Sequence, residues 1–174
     1  MQIHDWPRVT AGTFHDFHSS WITHIKEALN LSLLPPGFYA MAVVAMIEII
    51  SPGNKDGSRA IHEFVTKSIE LMDAGIHLLV VDLFPTSACN PEGIHALLWD
   101  DPFSLPADRR LTVASYRIDV LNEAFVEPIA VGQEMRDMPI FLDPAWYVNV
   151  PLASTYESAW RGVPRPFQRM LEAT

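Results

Sequence analysis

The chain has 174 residues, 49% hydrophobic and 19% charged, with 21 acidic against 12 basic side chains and a formal net charge of -9. That is enough apolar sequence to fill the core of one ordinary domain, read here as residues 1–174. It is too few lysines and arginines for a surface that coats nucleic acid, so a nucleic-acid partner would need a local basic patch.

The longest apolar run, FYAMAVVAMIEII, is shorter than the ~18 to 20 residues that span a bilayer, and Glu48 interrupts it. No membrane association is expected. The opening MQIHDWPR lacks the apolar stretch of a secretory signal, and Cys89, the single cysteine, has no partner for an internal disulfide. A cytoplasmic setting is the resulting expectation, and a homo-oligomer is compatible with all of this.

From Thr13 to about Leu33, Phe14, Phe17, Trp21, Ile25, Ala28 and Leu29 recur at spacings of three and four, which predicts an amphipathic helix. Thr13 is its expected N-cap, with Asp16 completing a capping box, and the Pro-Pro-Gly at 35–37 ends it. Residues 43–50, VVAMIEII, read as a strand covered on both faces and therefore parallel to its neighbour. Residues 58–75 read as a second helix stopped by Gly75, and HLLVVDLF at 77–84 repeats the buried-strand pattern. Strand, helix and strand in this order predict a right-handed βαβ unit. A short helix at 92–99 follows, then antiparallel strands at 111–118 and 123–131. Weaker strands are expected at PIFLDP and YVNVP, and helical turns at STYESAWRGV and 166–171.

Glu48 and Asp82 each lie two residues before the expected end of a parallel strand, so both approach the carboxyl edge of the sheet, where open α/β sheets bind ligands. On adjacent strands about 5 Å apart they could share a metal ion or a proton. They could equally cap backbone groups or pair with a lysine or arginine, since a buried carboxylate needs some such partner. Lys67, at the margin of the crossover helix's apolar stripe, either snorkels outward or leans toward the carboxylates. Lys55, in the turn after the first strand, is a second candidate cation or a plainly solvated loop lysine.

SPGNKDGS matches neither G-x-G-x-x-G nor G-x-x-x-x-G-K-[ST], which leaves only a helix N-terminus near Gly57 and Ser58 to attract an anion. His15, His18 and His24 lie on the first helix. His15 and His18 are three apart and could hold a metal, but His18 falls on the apolar face, where a packed neutral imidazole is expected. No G-x-S-x-G is present, and nothing nearby activates Cys89.

Taken together, IEIISPGNKDG and FVTKSIELMDAGIHLLVVDLF resemble the core of a large group of bacterial proteins classed as a domain of unknown function, with the hallmark IE-(V/I)-(L/I)-SP-x-NK. That group is similar in its core to the Uma family of restriction-type endonucleases, and through it to the PD-(D/E)XK nuclease-like fold. AGTFHDFHSSWI, LLPPGFYA, LTVASYRI, AFVEPIAVG, MPIFL, YVNVPL and TYESAW extend the resemblance over most of the chain.

The resemblance implies an α/β domain with a mixed sheet, a parallel βαβ core and a restriction-endonuclease-like arrangement. In such enzymes an aspartate and a glutamate on neighbouring strands hold a divalent metal, usually Mg²⁺, and a lysine positions the attacking water. Glu48 matches the acid of the second motif. Ile50 stands where the usual lysine would be, and Lys67 matches the relocated lysine of the Uma-type arrangement. Asp82 matches the acid ending the next strand. The first acid has no match, because Ala42 runs directly into Val43 where relatives carry further strands; either those strands are lost or a segment between Ala42 and Val43 is omitted.

Two functions follow as expectations. One is a Mg²⁺-dependent phosphodiester hydrolase with Glu48 and Asp82 on the metal and Lys67 near the water. The other is a catalytically inactive binding or assembly module that keeps the fold, suggested by the missing acid, Ile50 and the negative charge. A small-molecule hydrolase using the carboxylates as acid and base is a third option.

Overall fold

The computed structural model describes residues 2–38, 40, 45–100 and 104–172. The expected junction between Ala42 and Val43 lies outside the described residues, as do the first two residues of the expected strand at 43–50.

Helix α1 (Ala11–Ala28) is capped by Thr10, whose hydroxyl accepts the Thr13 N–H at 3.3 Å. The expected cap, Thr13, sits inside the first turn instead. Ala11 and Gly12 carry no apolar signal, so the helix starts before its hydrophobic stripe does. Past Ala28 the helix widens into a π-helical turn (Leu29–Leu33), and Leu34 N–H reaches the Leu29 carbonyl just ahead of Pro35.

Strand β1 (Ala45–Ile49), helix α2 (Gly57–Asp73) and strand β2 (His77–Asp82) form the predicted βαβ unit, with β1 and β2 parallel. Gly75 ends α2 in the left-handed region at φ 79°, and the Ile76 N–H bonds back to the Leu71 carbonyl. Strand β2 stops at Asp82, two residues short of expectation, although Leu83 and Phe84 remain buried. A short α3 (Ile94–Leu98) follows Gly93. Strands β3 (Leu111–Arg117) and β4 (Glu123–Ile129) then complete an antiparallel extension, giving the order β1-β2-β3-β4.

Among the described residues, strands β5 (Met138–Asp143) and β6 (Trp146–Val150) pair only with each other, as a separate hairpin. Helices α4 (Leu152–Trp160) and α5 (Arg165–Glu172) close the chain. The architecture is α/β with a mixed sheet, and no described helix is long and apolar enough to cross a membrane.

Each face of the main sheet has its own core. On one, Ile50, Leu78, Val80, Ala114 and Tyr116 pack under Ile61, Phe64 and Met72 of α2 and Ile94 and Leu98 of α3. On the other, Ile49, Leu79, Val81 and Val113 join Phe14, Phe17 and Trp21 of α1, Ile140 of β5 and Tyr156 and Trp160 of α4. Strand β2 is buried along its whole length on both faces, which is why it lacks alternation, whereas β1, outermost among the described strands, is only half-buried from Ala45 to Glu48, short of the two-sided cover expected of it.

Candidate functional site

The parallel register sets Glu48 opposite Val80, so Glu48 and Asp82 share a face but lie diagonally, about 8 Å apart between Cα atoms on standard sheet dimensions. The expected side-by-side placement is corrected, because β1 and β2 end out of step. Each carboxylate takes its own lysine.

Glu48 is half-buried, and its Oε1 accepts from Lys67 Nζ at 2.6 Å. Lys67 projects from the middle of α2, and its side chain, a little over half exposed, leans over the edge strand to reach Glu48. Ile50, where the resemblance would place a lysine, is fully buried in the core beneath α2. That position is closed to a charge.

Asp82 is a different kind of group. Its side chain is 4% exposed; Oδ2 lies 2.7 Å from Lys55 Nζ, and Oδ1 accepts the Phe84 N–H at 3.1 Å. Burial pushes the Asp82 carboxyl above the ordinary aspartate value, against the opposing pull of the Lys55 ammonium and the Phe84 N–H. Lys55 Nζ also donates to the Phe84 carbonyl at 2.6 Å and the Pro85 carbonyl at 3.2 Å, which accounts for all three of its protons. The solvated reading of Lys55 is thus overturned: the side chain is 8% exposed and locks the end of β2 to the turn after β1.

The local sequence explains this lock. Ser51 precedes a proline and is extended, and its N–H and hydroxyl both reach Asn54 Oδ1, at 2.9 and 2.8 Å. The resulting 3₁₀ turn (Pro52–Lys55) swings Lys55 back across the strand ends. The same Ser-x-x-Asn device closes the loop after β2, where Ser87 N–H and Oγ meet Asn90 Oδ1 at 2.9 and 2.6 Å. A lysine directly after a Ser-x-x-Asn turn, facing a parallel strand that ends in Asp, is the signal that would have marked the pair.

The other candidates are placed apart from this pair. His18 Nε2 lies 3.0 Å from the Ile49 carbonyl and donates to it, and burial lowers its pKa, as suits a packed neutral ring. The His15 and His18 rings stack with centroids 6.3 Å apart. His24 sits against Glu27. At the start of α2, the Ser58 hydroxyl points to Cys89 Sγ at 3.4 Å. Arg59, Arg117, Arg136 and Arg161 each face a glutamate, which offsets their charge as a nucleic-acid patch. Among the described residues, no three His, Cys, Asp or Glu side chains converge as a metal set.

The chain matches no family model, no curated protein and no solved structure.

Proposed function

We propose that this chain is a restriction-endonuclease-like domain serving as a binding or assembly module without hydrolytic activity. The observation that supports this most directly is the buried Lys55–Asp82 pair at 2.7 Å, in which both carboxylate oxygens and all the lysine protons are already satisfied. An acid that prepares a site for ligands keeps an accessible oxygen, whereas Asp82 spends both on closing the strand ends.

Mg²⁺ requires near-octahedral oxygen coordination, drawn from one or two carboxylates together with water or substrate phosphate. At this edge the described donors are Glu48, bonded to Lys67, and the enclosed Asp82, and that set does not fit a resident Mg²⁺ ion.

A second reading, phosphodiester hydrolysis, is favoured by the Glu48–Lys67 contact, which joins the two residues that the resemblance makes acid and water-directing cation. Titration calorimetry with Mg²⁺ and Mn²⁺, alongside cleavage assays on DNA and RNA, separates the two. The module reading expects no metal binding that depends on Glu48 and no cleavage. Metal-dependent cleavage abolished by Glu48→Ala would overturn it.

A further inference from the structure

The outer edge of β4 carries features that the carboxyl edge of the sheet does not. Strand β4 bonds to β3 on one side, and among the described residues no strand pairs with the other. On that free side Ala124 and Val126 present N–H and C=O groups outward, while Pro128, next in the same series, offers a carbonyl alone, so the template is a short one centred on Phe125.

The pairings Arg117↔Glu123, Ser115↔Phe125 and Val113↔Glu127 put Glu123, Phe125 and Glu127 in line on one face. Phe125 is 42% exposed, with its ring 5.5 Å from that of Phe141. Arg117 engages Glu123 through Oε2 at 2.8 Å, and Arg136 approaches Glu127 through Oε1 at 3.7 Å, one oxygen of each carboxylate. On the opposite face, Ala124 and Val126 border an open cleft of about 430 Å³ whose far wall includes His95 and Trp99. Edge backbone, a row of side chains on one face and a cleft on the other are the elements by which sheets capture extended peptides.

Although each glutamate is offset by an arginine, the second oxygen of each carboxylate is left for a donor arriving along the edge, and this argues for one occupant over another. Opposite charges directly across two strands stabilise the pairing, and like charges destabilise it. A second copy of β4, antiparallel and centred on Phe125, would set glutamate against glutamate at both flanks, so the edge is set against pairing with itself. We propose that the outer edge of β4 binds an extended peptide segment with a basic-x-apolar-x-basic pattern as an added antiparallel strand. The apolar residue covers Phe125, the basic residues meet Glu123 and Glu127, and the intervening small apolar side chains enter the cleft beside Trp99. This site is remote from Glu48 and does not depend on whether that edge is catalytic.

The test is calorimetric titration of the full chain with the capped peptide acetyl-Thr-Lys-Val-Phe-Val-Lys-Thr-amide. Two controls accompany it: the same peptide with glutamates for the lysines, and a version N-methylated at the two valines, whose N–H groups face Ala124 and Val126 in the proposed pairing. The expected result is saturable one-to-one binding, weakened about tenfold by the glutamates and lost on N-methylation. The Glu123→Lys/Glu127→Lys variant, if folded by circular dichroism, is expected to reverse the peptide preference; if it does not fold, the peptide series on the unaltered chain decides. No saturable binding, equal binding of the glutamate peptide, or indifference to N-methylation would each overturn the proposal.

Discussion

Glu48 and Asp82 look equivalent in the sequence, as acids near the ends of two apolar strands, and their energetics differ because their burial differs. The Lys67–Glu48 pair is half in water, where side-chain entropy and screening leave an ion pair no more than about 1 kcal/mol. Lys55 and Asp82 are 8% and 4% exposed, so removing either strands the other as a buried charge, at a cost of about 3 to 5 kcal/mol. Urea denaturation of Glu48→Ala and Asp82→Ala is therefore expected to give a small and a large loss of stability. The difference was not legible beforehand. Which lysine reaches which acid depends on the backbone path of the Ser51–Lys55 turn, and hydrophobic periodicity says nothing about that path.

At the scale of elements, the βαβ unit was legible because its pattern is local: unbroken apolar strands, a 3.6-residue stripe from Ile61 to Met72, and Gly75 as the stop. The beginning of α1 was not, since Ala11 and Gly12 belong to a helix whose buried face begins only at Thr13 and Phe14. Nor was the pairing of β5 with β6 apart from the main sheet, which is decided by long-range packing. The glycines yield a prediction with two signs. A methyl at Gly75 meets nothing within 4 Å but is held at φ 79°, so Gly75→Ala is expected to cost about 1 kcal/mol from backbone strain alone. Gly12 lies in α1, with Thr10 Oγ1 3.9 Å from an added methyl, so Gly12→Ala is expected to stabilise by up to about 1 kcal/mol. Thermal denaturation of the two variants checks both signs.

Across the whole molecule, the two ends of the chain are joined by a polar contact inside an aromatic cluster. Tyr156 of α4 accepts from the His4 backbone N–H at 3.2 Å and from Trp6 Nε1 at 2.9 Å, while its own hydroxyl meets His4 Nδ1 at 2.9 Å. The His4 ring stacks on Trp160 with centroids 3.5 Å apart. Nothing in the residues before α1 announced this, because the contact spans nearly the entire sequence.

Burial lowers the His4 pKa from 6.5 to about 4, so the unfolded chain binds the extra proton between those values. Stability from the neutral ring is complete above pH 6.5 and falls as the pH drops toward 4. His18 and His77 are shifted in the same direction. Urea midpoints compared at pH 7.5 and pH 5 are expected to fall more for the unaltered protein than for His4→Asn. Equal falls would show that His4 carries no such linkage.

The role proposed for Asp82 is to hold the strand ends together with Lys55, not to receive a ligand. A urea-denaturation cycle over Lys55→Met, Asp82→Leu and the double variant decides between the two roles. Each single change is expected to cost about 3 to 5 kcal/mol and the double variant to be more stable than either single one, because no unpaired charge remains buried. A ligand-holding acid is commonly maintained at the expense of stability. An Asp82→Leu protein as stable as the unaltered chain, or more so, would rule out a structural role for the Lys55–Asp82 pair.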